Sequence, residues 1–130
     1  MGVSACAVYR RFGSGSDAWV TYAEEQAHYA TARWVQRRIE ETGGVIALRA
    51  SSGAMQLAAM RAGRGRGVLP CYAADDDPLL ERLTAPVPKI AAEHSVIVHR
   101  DLRRAVCVRA VIDWVRRAFA EQRDAVAGTR

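Results

Sequence analysis

The chain has 130 residues, half of them apolar and a quarter charged, the balance of one soluble globular domain, which excludes disorder as its main state. No run approaches the ~18 uncharged apolar residues that a spanning helix needs. The formal charge of +5 raises the question of a polyanionic partner, yet of the nineteen Lys and Arg residues only Lys89 is a lysine. Coding bias explains that usage as readily as phosphate binding does.

Met1 to Tyr9 shows no charged segment followed by a long apolar core, so no signal peptide is expected. Cys6, Cys71 and Cys107 are odd in number and far apart, unlike a disulfide framework, and together these features predict a reduced, cytoplasmic setting. Ala5–Tyr9 reads as a strand, Gly13–Ser16 as a flexible break, and Asp17–Tyr22 as a second strand. From Glu24 to Thr42 the period turns helical, with Ala27, Ala30, Trp34, Val35 and Ile39 on one face, and Gly43-Gly44 stops it. Val45–Leu48 is almost wholly apolar and predicts a buried parallel strand.

Ser51 and Ser52 read as the N-cap of a helix over Gly53–Ala62 that ends at Gly63. Val68 and Leu69 form the next apolar stretch. Asp77-Pro78 has the look of a helix start, predicting a short helix through Leu83. Ala85–Pro88 is a rigid linker and Ser95–Val98 a strand. Val108, Val111, Ile112, Val115 and Phe119 then fall on one face of an amphipathic helix, and beyond about Arg123 the pattern fades into a frayed tail. Strands alternating with helices argue for an α/β layered domain with a mostly parallel sheet.

Gly63-Arg-Gly-Arg-Gly67 invites a phosphate-loop reading, but it leaves a helix and enters a strand, the reverse of a nucleotide-binding glycine loop. The glycines fit a tight turn and close packing instead. A better anion site is the turn Arg49–Ser52, where a strand ends, a helix begins, and hydroxyls and helix-end amides converge. Ser51 or Ser52 serving only as a helix cap explains the same residues. His94 and His99 are too ill-placed to share a metal, His28 has no second ligand at i+4, and Asp75–Asp77 lacks the spacing of a calcium loop. Cys71 has no partner base, and an inert thiol accounts for it. No catalytic, metal or cofactor constellation emerges. The arginines form two clusters, Arg61, Arg64 and Arg66, and Arg100 through Arg123, with no motif that reads bases.

At Arg61–Pro70 and Cys71–Leu80 the sequence resembles the latter half of the effector-binding domain of LysR-type transcriptional regulators. His99–Arg103 and Val108–Val115 resemble its closing segment, and the order of the intervening elements matches as well. The resemblance implies a two-lobed α/β fold similar to type 2 periplasmic binding proteins, with a small-molecule effector, an anion among the candidates, held between the lobes. It implies the following layout: residues 1–12 a hinge strand, 17–90 the second regulatory lobe, 95–123 a return hinge strand and C-terminal helix from the other lobe, and 124–130 a tail. By the same resemblance Ser51 and Ser52 are the polar pair facing the effector. Pro70, Cys71 and Tyr72 line the cleft, and Tyr9 and Arg10 lie at its hinge edge. Such a protein is a bacterial cytoplasmic regulator, not an enzyme, and needs no cofactor.

The sequence departs from the family by containing no winged helix-turn-helix and little of the first lobe. The expectation is a truncated effector-sensing piece that does not bind DNA specifically by itself. The alternative is a basic interaction module with non-specific nucleic-acid affinity through Arg61, Arg64 and Arg66. The apolar face of the closing helix would lack its partner lobe, which predicts a homodimer or a swapped helix. Arg64 and Arg66 stand where the family is apolar, so Arg66 is expected to reach solvent or pair with an acidic neighbour.

Overall fold

A computed structural model describes residues 2–129; Met1 and Arg130, the outer ends of the expected hinge strand and tail, lie outside the described residues. The chain enters through β1 (Gly2–Ser4) and β2 (Cys6–Arg11), then β3 (Trp19–Tyr22). A 3-10 turn over Glu24–Gln26 leads to α1 (Ala30–Thr42), β4 (Ile46–Ala50), α2 (Gly53–Arg61) and β5 (Gly67–Pro70). Next come α3 (Cys71–Ala74), β6 (Leu80–Arg82), β7 (Ala92–His94), α4 (Val106–Glu121) and α5 (Arg123–Ala127).

β3 and β4 run parallel, with Trp19 opposite Ile46 and Tyr22 opposite Ala50. A parallel bridge from Trp19 to Arg66 places β5 on the other side of β3, with Val20 N donating to Arg66 O and Arg66 N to Ala18 O, both at 2.8 Å. β2 lies next, antiparallel both to β5 and to β6, giving the order β4-β3-β5-β2-β6. The expectation of a mostly parallel sheet therefore holds only for β4, β3 and β5. β2 opposes them because it arrives from the edge where they end: Cys6 pairs with Pro70, and Tyr9 with Gly67. The β1–β7 ladder stands apart, with Gly2 opposite His94.

Two apolar layers follow from the alternation along β2. Cys6 and Val8 face Trp19, Val35, Val68 and Ile90, with Trp34 and Ile39 of α1 packed alongside. Ala7 and Tyr9 face Val20, Met60, Leu69, Cys71, Ala74 and Leu80. The glycine turn serves this packing. A Cβ on Gly65 would lie 2.5 Å from Ala18 O, and one on Gly67 would lie 2.8 Å from Met60 Sδ and 2.9 Å from Val20 O. Strand β5 can lie this close to β3 and α2 only with glycine there. Arg66 meets its expectation: its guanidinium sits 4.4 Å over the Trp19 ring and 3.9 Å from Asp17 Oδ1. Arg64 is exposed.

Several sequence expectations are corrected. The helix expected from Glu24 begins at Ala30, after the 3-10 turn. β4 is an edge strand, so Ala47, Leu48 and Arg49 are exposed and only Ala50 is buried. Asp77-Pro78 opens no helix. The Asp77 carboxylate accepts from Leu79 N at 2.9 Å and its carbonyl from Leu80 N at 3.2 Å, closing a turn that delivers β6 to β2 with Leu80 in the core. Ala85–Pro88 is not a free spacer, because Leu83 N and Val87 N donate to Val8 O and Cys6 O. Ser95–Val98 forms no ladder with the described strands. The strand is Ala92–His94, and since His94 already pairs with Gly2, the next residues find no described strand to join; Ile97 is 94% exposed. The tail is not frayed as far as Thr129, since α5 buries Ala125, Ala5 N donates to Val126 O at 2.8 Å, and Gly128 abuts Cys71.

Candidate functional site

Three strands end on one edge of the sheet, and each hands over to a turn that presents polar groups: Tyr22 from β3, Ser51 and Ser52 after β4, and Pro70 to Tyr72 after β5. Carboxyl ends of parallel strands are where open α/β sheets bind ligands. Ser52 caps α2, its hydroxyl accepting from Met55 N at 3.2 Å. Ser51 is exposed, with its hydroxyl 3.3 Å from Met55 Sδ. The cap is therefore real. It fixes the amino end of a nine-residue helix, with its positive dipole end, at the sheet edge.

Tyr22 was legible only as a strand former, yet the structure sets it beside this helix end. Its hydroxyl is 3.7 Å from where a Gly53 Cβ would stand, and its ring meets Tyr29 edge-on at 5.1 Å. Burial pushes the Tyr22 phenol above its ordinary pKa, with smaller contributions from Tyr29, Cys6 and Tyr72. The phenol thus stays a neutral donor at physiological pH. Gln56, one turn into α2, is 2% exposed and its Nε2 has no hydrogen-bond partner among the described residues. A polar residue at i+4 from the cap, on the face that also carries Met60, was the available signal for it.

The expected ligand residues divide. Ser51, Ser52, Pro70 and Tyr72 lie along the carboxyl edge with some accessible surface. Cys71 is fully buried, its amide donating to Ala5 O at 2.9 Å and its sulfur against Gly128, so its thiol is sealed from that edge. Tyr9 and Arg10 are corrections. Because β2 runs antiparallel, its Cys6 end meets the carboxyl edge and its Tyr9 end points away. Tyr9 is 1% exposed, and its hydroxyl donates to Asp75 Oδ1 at 2.6 Å. Arg82 grips both oxygens of the same carboxylate and donates to Gly128 O at 3.0 Å, binding β6, α3 and the C-terminal turn together. The hydrogen bonds to Asp75 raise the Arg82 pKa, while burial first and the Tyr9 phenol's own hydrogen bond to Asp75 second push that phenol far up. Arg10 is held by Glu81 at 3.2 Å and Asp17 at 3.4 Å. Both residues act in the scaffold.

The acidic run likewise has structural work: Asp75 holds this network, and Asp77 pairs with Arg61 at 3.2 Å. With Arg61 and Arg66 each beside an aspartate, two of the three arginines near the glycine turn are already engaged. Among the described residues no group of three or more His, Cys, Asp or Glu is placed to hold a metal ion, and no helix is long and apolar enough to cross a membrane. Two recesses involve the C-terminal segment. A recess of about 470 Å³ is lined by Tyr72, His94, Phe119 and Gln122, and one of about 710 Å³ by residues 95–98 with Arg100, Arg103, Arg109 and Arg116. No curated protein matches the chain. A family model does, over residues 16–120: that of the LysR substrate binding domain.

Proposed function

The chain belongs to the LysR substrate-binding-domain family, and from that premise we propose that it is the small-molecule effector-sensing part of a transcription regulator, with no catalytic step of its own. The observation that carries this reading is the convergence of the α2 amino end, capped by Ser52, with Tyr22 and the Pro70–Tyr72 turn at one sheet edge. The donors gathered there, helix-end amides and the Tyr22 hydroxyl, suit an anionic effector such as a carboxylate. Cys71 would contribute bulk under the wall rather than a contact. In a two-lobed regulator, ligand at this edge biases hinge closure, and the β1–β7 ladder is the natural hinge element.

Backbone NMR with a panel of small carboxylic acids tests the assignment. A binder that shifts Ser51–Gly53, Tyr22 and Tyr72 together supports it; a panel that leaves all of them unmoved, or moves only distant residues, overturns it.

We also propose that the chain pairs with a second copy through α4. None of its residues is buried, and Val106, Val111 and Trp114 are 85%, 60% and 64% exposed. A two-fold antiparallel crossing at the helix midpoint would bring Val111 and Trp114 of both copies together. Light scattering at tens of micromolar should return a dimer mass, and a strictly monomeric mass would refute it. Sequence-selective DNA binding is not assigned to these residues. In a mobility-shift assay at ~150 mM salt, where non-specific arginine contacts weaken, tight and selective retention would contradict that.

A further inference from the structure

The recess of about 470 Å³ between α3, β7 and the α4–α5 corner uses none of the serines at the carboxyl edge. Its volume lies in the range of small-molecule sites, roughly 300–1,000 Å³. Three rings form its walls. His94 stands 6.4 Å from Tyr72 at 67° and 5.5 Å from Phe119 at 52°. The floor is rigid: Gly2 pairs with His94, and a Cβ on Gly2 would already touch Phe119 at 3.4 Å.

One ring nitrogen of His94 is already engaged. Its Nε2 lies 2.8 Å from the hydroxyl of Ser4, a fully buried residue whose hydroxyl also reaches Ala92 O at 3.4 Å. Both contacts are satisfied together only when Ser4 donates to Ala92 O and accepts from the His94 Nε2–H. In the Nε2–H tautomer Nδ1 is bare, an acceptor, on the imidazole that lines the recess. Gln122 adds an amide, and the Asp76 carboxylate, itself engaged in another interaction, adds negative potential at the rim.

We propose that this recess is a second ligand site, for a small planar ring bearing N–H donors. The ring would lie between Tyr72 and Phe119, and its N–H groups would be taken up by His94 Nδ1 and the Gln122 side-chain oxygen. Aromatic walls favour a flat ring over an aliphatic chain of equal size. An acceptor-rich lining turns away carboxylates, the opposite preference to the donor-rich edge at Ser52. The site shares Tyr72 with that edge but uses neither Ser51 nor Ser52, so shifts at His94, Phe119 and Gln122 tell the two apart.

The test uses 2-aminobenzimidazole as probe and benzoate as its donor-free counterpart, each titrated into the full chain with amide shifts recorded. Fragments of this size bind well-formed sites with dissociation constants at or below about 1 mM. The expected result is saturable shifts at Tyr72, His94, Phe119 and Gln122 with the amine, and none there with benzoate. Phe119→Ala and Gln122→Ala should each weaken the amine by fivefold or more; Gln122 is exposed, so its variant keeps the test sound even where Phe119→Ala disturbs packing. Absence of saturable shifts, equal response to benzoate, undiminished binding in Gln122→Ala, or shifts confined to Ser51–Gly53 would each overturn the proposal.

Discussion

Strand β2 and helix α4 are both strongly apolar, yet the molecule treats them oppositely. Cys6, Ala7, Val8 and Tyr9 in β2 are each at most 3% exposed, with one apolar layer on either face. α4 spans sixteen residues and buries none of them. The segment before it, 95–99, has no ladder partner among the described residues either. Amphipathic pattern therefore records a demand for a covering surface, not the presence of one. Residues 2–90 meet that demand within the chain. Residues 95–121 do so in part, where Phe119 rests on Gly2 and His94 and where Val98, Val108, Ile112 and Val115 are half-buried.

The largest effect that would sharpen this contrast comes from the core. Met60 is fully buried between Val20 and Gly67, so Met60→Ala should destabilise the fold by about 2–5 kcal/mol in urea denaturation. A loss under ~1 kcal/mol would mean that the layer over α2 is loosely packed.

Alkaline pH probes the opposite face. Burial, helped by Cys71, raises the Cys6 thiol to about 11 from an ordinary 9.0. The folded state thus favours the neutral thiol, and this contribution is fully present below pH ~9 and lost as pH rises toward ~11. The shift corresponds to about 2–3 kcal/mol in all. Tyr9 and Tyr22 are raised too, but their unfolded values sit near 10, so the loss between pH 9 and 10 belongs mainly to Cys6. Stability followed by urea titration should fall over that interval in the native chain and stay nearly level in Cys6→Ala.

The smallest effect is expected in the arm. Trp114→Ser should change monomer stability by no more than about 0.5 kcal/mol, because the ring is mostly exposed, while reducing self-association measured by sedimentation. A stability loss of core size would show that α4 docks on its own sheet.

The same division explains what the sequence made legible. Trp19–Tyr22, the Ser52 cap, α2 and the glycine turn were readable because local chemistry and tertiary packing agree there. Ser95–Val98 carries three consecutive β-branched residues and reads as a strand, but a strand requires a neighbour, and the β1–β7 ladder stops at His94. Asp77-Pro78 has the chemistry of a helix start and of a turn alike; the burial of Leu80 against β2 decided between them. Ser51, Ser52, Pro70 and Tyr72 lie together at the carboxyl edge of the sheet, a placement that strand-to-helix junctions make readable locally. Tyr9 and Arg10 were misplaced because the direction of β2 depends on which strands it pairs with, a non-local fact. Gln56 and Tyr22 went unnoticed for the same reason, as their importance comes from neighbours distant in sequence.

Hydrogen exchange resolved by residue tests the division between a finished lobe and an unpartnered arm most directly. Amides of β2, β3 and β5 should exchange only through global unfolding at every protein concentration. Residues 95–99 should exchange within seconds in dilute solution, and α4 should gain protection as concentration rises and copies pair. If α4 is protected as strongly as β2 at low micromolar concentration in a monomeric chain, the arm already has its partner within the molecule and the account is wrong.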